Sequence, residues 1–478
     1  MLFNSLQYAI FLPIIFAIYW LLPHKYRWVL LFGASYYFYM SWNVKYVVLI
    51  LFTTVVSYFA ARLIEKTESV RKKKALLTVT LVSSLGVLFV FKYFDFFVTS
   101  FCDLMAKMSI YASPKTLGLL LPVGISFYTF QTLSYVIDVY RGNSKAEKHF
   151  GIFATFIAFF PQLVAGPIER TNNLLPQIKE EHHFSYEQAA YGMKIMAWGF
   201  FKKMVVADNL AVYVDRVYNN VTYHEGFSLL AATLFFAVQI YCDFSGYSDI
   251  ARGSSKLLGI ELMENFRSPY FSSTVKEFWS RWHISLSTWF RDYLYIPLGG
   301  NRVKKVRHYF NLLVTFLVSG LWHGASWTFI IWGAIHGVAQ VIENIFHVRN
   351  EKSNKFKRIL SMITVFVFVC FAWIFFRAQN LSEAVYVISN MFSGIAQPVE
   401  YIRNGIADMG MSIPRLAVAI GVYIVPLAIY DYASLKTDVI SWVSEKPKFV
   451  RHIFYGAVVA IVVALHAIGE VSFVYFQF

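Results

Sequence analysis

The strongest constraint on this chain is a succession of apolar runs, most of them long enough to cross a bilayer, separated by loops rich in Lys and Arg. A spanning helix needs about 20 predominantly apolar residues, and basic loops collect on the cytoplasmic side. The loop 62–74 carries Arg62, Lys66, Arg71, Lys72, Lys73 and Lys74 against Glu65 and Glu68, which marks that side. Counting back through runs at 46–62, 27–42 and 6–22 places the first residues outside. Counting forward, 75–98 and 116–139 leave and return, delivering Arg141, Lys145 and Lys148 to the same side. No Lys or Arg precedes Lys25 and no small-residue cleavage site follows, so 6–22 reads as a retained span and not as a signal peptide.

Composition excludes the soluble alternatives. Of 478 residues, 57% are hydrophobic and 15% charged, against about 25% charged in ordinary globular chains. Too few polar side chains remain to cover a soluble multidomain enzyme, and disordered or collagen-like classes fall with it. A net charge of +15 would raise nucleic acid as a partner in a soluble protein. Here the basic residues sit between apolar runs, so they read as topology and anionic lipid, with no nucleic acid expected. Cys102, Cys242 and Cys370 lie far apart and form neither a disulfide framework nor a thiolate cluster.

From 150 to 260 the alternation blurs, because the apolar stretches around Phe156, Ala197 and Phe235 are interrupted by Pro161, Gly166, Pro167, Gly199, Lys202 and Lys203. Broken helices at membrane depth are tolerated where protein buries them or where they line a cavity, so this region reads as walls of a polar interior. Residues 261–308 are too polar to span and read as an amphipathic cytoplasmic-side segment with Trp279, Trp282 and Trp289 near the interface. Residues 310–346 lie between the basic groups Arg302/Lys304/Lys305/Arg307 and Arg349/Lys352/Lys355/Lys357/Arg358, which implies an even number of crossings. As one helix this stretch would run about 55 Å, too long for a core of about 30 Å. A break is required, and Ser319-Gly320-Leu321-Trp322-His323-Gly324 supplies it, with His323 at the turning region. Spans at 359–376, 415–430 and 453–473 bring the expectation to about ten crossings in one all-α integral-membrane domain with broken and re-entrant helices.

His323 is the first candidate for chemistry. An ionisable residue at membrane depth is costly, and a neutral imidazole moves protons near pH 7; the alternative is a packing histidine bonded to a backbone carbonyl. His283 lies on the polar segment, where an interfacial histidine with its tip in water is the simpler alternative. His283, His308, His323 and His336 show no metal-ligand spacing, so no metal site is expected. Asp243 and Asp249, within Gln239-Ile240-Tyr241-Cys242-Asp243-Phe244-Ser245-Gly246-Tyr247-Ser248-Asp249, either line a polar tunnel, pair with Arg252 or Arg281, or form a packing ion pair. The loop 299–307 either meets phosphates of a cytoplasmic cofactor through Asn301, Arg302, Lys304 and Lys305 or only sets topology. Neither a Walker loop nor a G-x-S-x-G elbow is present.

These stretches resemble the membrane-bound O-acyltransferase family, in its bacterial polysaccharide (alginate-type) O-acetyltransferase branch. The matching residues are Phe159-Phe160-Pro161-Gln162-Leu163-Val164-Ala165-Gly166-Pro167-Ile168, the 243–251 segment, Phe278-Trp279-Ser280-Arg281-Trp282-His283-Ile284-Ser285-Leu286-Ser287, Tyr295-Ile296-Pro297-Leu298-Gly299-Gly300 and Gly320-Leu321-Trp322-His323-Gly324. Trp373-Ile374-Phe375-Phe376-Arg377-Ala378 and Tyr475-Phe476-Gln477-Phe478 also match, and the family-like core covers about 120–378. The resemblance implies helices around a deep funnel and tunnel in a bacterial cytoplasmic membrane. It implies His323 as the catalytic residue and His283 as a second active-site residue; Asp243, Ser245, Asp249, Arg281 and Trp322 are the further candidates for lining such a tunnel. It further implies an acyl donor from the cytoplasm and an extracytoplasmic partner of the serine-hydrolase-type acetyltransferase class that modifies a polysaccharide. Acetyl-CoA is the expected donor substrate, with no tightly bound cofactor. Peptidoglycan O-acetylation and D-alanyl transfer to teichoic acid are the alternatives within the family; a flippase or transporter of an acylated intermediate, or a scaffold, are those outside it. Paired discontinuous helices in two related halves, the signature of a transporter, are not visible.

Overall fold

The computed structural model describes residues 1–164, 166–348, 354–467 and 473–474. Ala165 of the proline motif, Arg349 and Lys352 of a basic loop, and the closing Tyr475-Phe476-Gln477-Phe478 lie outside the described residues. The described residues form helices joined by turns and loops, with no strand among them, as expected of an all-α polytopic membrane protein. Two compact units divide the chain: Met1–Met193 with Ala251–Met263, and Lys194–Ile250 with Glu264–Phe478.

Among the described residues, six helices are long and apolar enough to cross a membrane: Val44–Lys66, Val70–Lys107, Phe227–Leu257, Lys355–Arg377, Ile413–Ser434 and Lys448–Leu465. That is fewer than the ten expected from hydropathy. Leu6–Leu21 is apolar but shorter, and the run expected at 116–139 becomes the helix Ile125–Arg141. Its start is delayed by Pro122 and by Gly124, which caps the helix at a left-handed φ of +75°. Most of this helix is buried in protein.

In the first unit the chain breaks between Phe150–Ala158 and Phe160–Leu163. A break at this depth must satisfy its own backbone groups. Phe160 N–H donates to Ser35 Oγ at 3.1 Å. The Phe156 carbonyl accepts from Gln131 Nε2 at 2.8 Å and Gln162 Nε2 at 3.0 Å, and Gln162 also donates to Gln131 Oε1 at 3.0 Å. Buried glutamines thus take over the role of the lost helical turn.

In the second unit, Lys305–His323 and Trp327–Ile345 form an antiparallel hairpin. Small residues let the two backbones approach: a Cβ at Gly320 would stand 2.2 Å from the Phe329 carbonyl oxygen, and one at Gly333 would stand 2.3 Å from that of Phe316. Gly320→Ala should therefore destabilise the fold by about 1–3 kcal/mol through forced overpacking. Gly86→Ala, where nothing lies within 4 Å, should be neutral or mildly stabilising in the same detergent melting experiment. Equal melting temperatures for the two variants would remove this account of the hairpin.

Within the segment 261–308, the tryptophans expected near the interface are covered by protein. Trp282 is fully buried and Trp279 and Trp289 are each 7% exposed. Arg267 N–H donates to the Arg281 carbonyl and Ile284 N–H to that of Asn265, each at 3.0 Å. The segment folds back on itself, and its tryptophans pack in protein: Trp282 lies 5.1 Å from Trp373, and Trp279 Nε1–H donates to His336 Nδ1 at 3.2 Å.

Candidate active site

His323 occupies the last turn of Lys305–His323, where Gly324 turns extended (φ −161°, ψ 151°) and ends the helix. The Ser326 side chain caps the returning helix by accepting Thr328 N–H. This tight turn leaves His323 3% exposed. Its imidazole meets Trp322, Trp332 and Phe376 edge-on at centroid distances of 4.9, 5.0 and 5.3 Å.

His283 reaches the same place from another element. It links Val275–Arg281 to Ile284–Phe290 in a left-handed conformation (φ 42°, ψ 55°). That region is costly for a non-glycine residue and persists only when its surroundings over-determine it. Its ring stands 5.9 Å from Trp322 and 4.6 Å from Phe244. The two imidazoles therefore flank one indole. His283 is fully buried, contrary to the interfacial alternative, and burial pushes its imidazolium down to about 3.

A cavity of about 630 Å³ is lined on the hairpin by His308, Leu312, Thr315, Phe316 and Ser319. Their spacing puts them on one helix face over roughly 16 Å, and His323 continues that face one turn beyond Ser319. Trp279, Phe290 and Phe316 supply apolar wall; Lys276 and Arg291 supply cations and Asn301 an amide. Of the loop residues expected to meet a donor, only Asn301 lines the cavity. Arg302, Lys304 and Lys305 are exposed and absent from its wall. Lys276 and Arg291 are the cationic wall residues that hydropathy reading missed, lying in a segment read only as amphipathic.

The carboxylates singled out in sequence are held by lysines. Lys203 Nζ lies 2.7 Å from both Asp208 Oδ1 and Asp243 Oδ1, and Lys202 Nζ lies 2.5 Å from Asp249 Oδ2. Both lysines sit in the π-helical turn Phe201–Ala207. Asp243 Oδ2 also accepts Val474 N–H at 2.7 Å. Arg281, one of the partners considered for these acids, is engaged by Glu277 at 2.5 Å. Ser245 is buried on the same helix as the two aspartates. Of the tunnel candidates, Trp322 lies against both histidine rings, at centroid distances of 5.9 Å from His283 and 4.9 Å from His323. Asn265, absent from the sequence candidates, bonds His283 Nδ1 at 3.1 Å.

The arrangement offers two buried imidazoles beside an elongated cavity with a cationic wall and an aromatic one. The model of the MBOAT, membrane-bound O-acyltransferase family matches residues 148–382. The probable alginate O-acetylase AlgI of Azotobacter vinelandii is 42% identical over 398 residues, covering 82% of this chain and 78% of that protein. The peptidoglycan O-acetyltransferase of Helicobacter pylori is 38% identical over 426 residues, 82% of this chain and 80% of that protein. The teichoic acid D-alanyltransferase of Bacillus subtilis is 30% identical over 273 residues, 54% of this chain and 69% of that protein.

Proposed function

The chain belongs to the membrane-bound O-acyltransferase family, and from that premise we propose that it transfers an acetyl group from cytoplasmic acetyl-CoA for O-acetylation of an extracytoplasmic polysaccharide of the alginate kind. The observation that carries the residue roles is the convergence of His283 and His323 on the indole of Trp322, one helical turn beyond the cavity. In this reading the pantetheine arm lies along the cavity and its thioester reaches His323. The acceptor hydroxyl oxygen attacks the thioester carbonyl carbon while His323 takes its proton. The tetrahedral intermediate collapses, the C–S bond breaks, and the imidazolium returns the proton to the departing thiolate. General-base catalysis of this kind contributes about 10²–10⁴-fold. His283 supplies the second imidazole, orienting the donor or relaying the proton.

Lys276 and Arg291 are placed to meet donor phosphates. Replacing either by Ala should raise KM for acetyl-CoA roughly 5-fold with little change in kcat, the effect shrinking at high salt. Arg302→Ala, outside the cavity wall, should leave KM unchanged; the reverse ranking would relocate the donor site to the 299–307 loop.

Transfer then passes the acetyl group to a polysaccharide or to a serine-hydrolase-type acetyltransferase at the outer face of a bacterial inner membrane. The Helicobacter relative, similar over as much of the chain, supports peptidoglycan as the second acceptor reading. The test is label transfer from radiolabelled acetyl-CoA by protein in nanodiscs, with alginate-type and peptidoglycan acceptors in parallel arms, with and without the candidate partner. Labelled alginate supports the first reading and labelled peptidoglycan the second. Absence of donor turnover in all arms, with folded protein, would return the chain to the transporter or scaffold alternatives.

A further inference from the structure

His283 either orients the donor or relays the proton, and a hydrogen-bond pattern around Asn265 separates the two roles. The Asn265 side-chain oxygen accepts Ser285 N–H at 3.1 Å and Ser285 Oγ–H at 3.0 Å, and it contacts His283 Nδ1 at 3.1 Å. A backbone N–H can only donate, so the atom facing Ser285 must be the amide oxygen and not the nitrogen. The amide orientation is therefore fixed by chemistry. The nitrogen end agrees, with Asn265 Nδ2 donating to Ser248 Oγ at 3.4 Å.

An amide oxygen cannot donate. His283 Nδ1 must carry the proton in the bond to Asn265, and in a neutral imidazole the other nitrogen, Nε2, is then an acceptor. The same asparagine holds the backbone that this requires. Its main-chain carbonyl accepts Ile284 N–H at 3.0 Å, and its side chain accepts the next N–H. Those bonds pin the backbone immediately after the left-handed φ of His283. His283 and Asn265 are both essentially excluded from solvent, so water does not compete for these groups.

We propose that Asn265 is a positioning residue that locks His283 in the Nδ1–H tautomer, so that His283 enters the reaction as a proton acceptor at Nε2 and not as a hydrogen-bond donor to the thioester carbonyl. This rests on the reading of His283 as an active-site residue. Neutral His283 in this tautomer has no proton at Nε2 to give to a carbonyl oxygen. It can take on, through a shared carrier, the proton that His323 draws from the acceptor hydroxyl, and pass it back for return to the leaving thiolate. No net proton is gained over the cycle.

The test compares wild type, Asn265→Ala, Asn265→Asp and His283→Ala in nanodiscs, measuring kcat and KM for acetyl-CoA from acidic to alkaline pH, with detergent melting as the folding control. Asn265→Ala removes the oxygen and should lower kcat by about 10²-fold with KM nearly unchanged. Asn265→Asp keeps an acceptor oxygen but adds a negative charge beside the ring, which favours the imidazolium. A protonated Nε2 cannot accept, so activity should be lost at higher pH than in wild type, the acidic limb moving up by about 1–3 pH units, while activity on the alkaline side recovers above that of Asn265→Ala. A merely structural asparagine would not move the pH profile. Should Asn265→Ala fail to fold, the near-isosteric aspartate carries the test. With His283→Ala inactive, an Asn265→Asp profile superimposed on wild type overturns the tautomer lock alone. Full activity in His283→Ala overturns both the lock and the site reading beneath it.

Discussion

Replacing His323 by alanine is expected to lower kcat/KM for acetyl transfer by about 10²–10⁴-fold, the largest activity loss of any single substitution in this chain. The expectation follows from position. His323 ends a helix whose cavity-lining face leads to it, and the turn at Gly324 holds it 3% exposed among Trp322, Trp332 and Phe376. If it were only a packing residue, its loss would cost stability and spare the rate. The two outcomes separate cleanly when melting temperature and turnover are measured on the same preparation. His323→Gln fills similar volume and offers an amide but no basic nitrogen, so it should restore stability without restoring the rate. Turnover close to wild type in either folded variant would remove His323 from the chemistry.

The largest stability effect is expected at Lys203. Its ammonium lies 2.7 Å from each of two carboxylates, those of Asp208 and Asp243, and all three side chains are buried. Lys203→Met preserves length and removes the charge, leaving two buried acids facing each other without a counter-ion. Removing one partner of a buried ion pair costs about 3–5 kcal/mol. Asp243 also accepts Val474 N–H, so the damage should extend to that bond. Detergent melting should show a large drop for Lys203→Met and partial recovery when Asp243→Asn is added, since the double variant discards one of the stranded charges. A melting temperature within a degree of wild type for Lys203→Met would mean the triad is not held as a charged unit.

How far the site can be read in advance depends on how local its causes are. His323 was legible because a 310–346 stretch bounded by basic loops has to turn inside the membrane, and the glycines at Gly320 and Gly324 bracket the place. Asp243 and Asp249 were legible as carboxylates in an apolar setting, but not their partners. Lys202 and Lys203 stand some 40 residues earlier in sequence and looked only like interruptions of a span. Asn265 offered no signal at all. An asparagine in a polar loop is commonplace, and its bond to His283 exists only because residues 264–267 fold back against 281–285.

The same division explains the interfacial expectation for Trp279, Trp282 and Trp289. Amphipathic composition says that a segment has an apolar face but not whether lipid or protein covers it. Here protein does, and Trp282 lies against Trp373, from a helix about 90 residues away. What the amino-acid order determined by itself was the helical class, the multi-pass character and the turn that carries His323, because bilayer thickness and helix rise convert run length directly into crossings and breaks. What only tertiary structure decided was the burial of His283, the lysine partners of the aspartates, the cavity wall and the tautomer. Those depend on contacts between residues far apart in the chain, whose geometry no local period encodes.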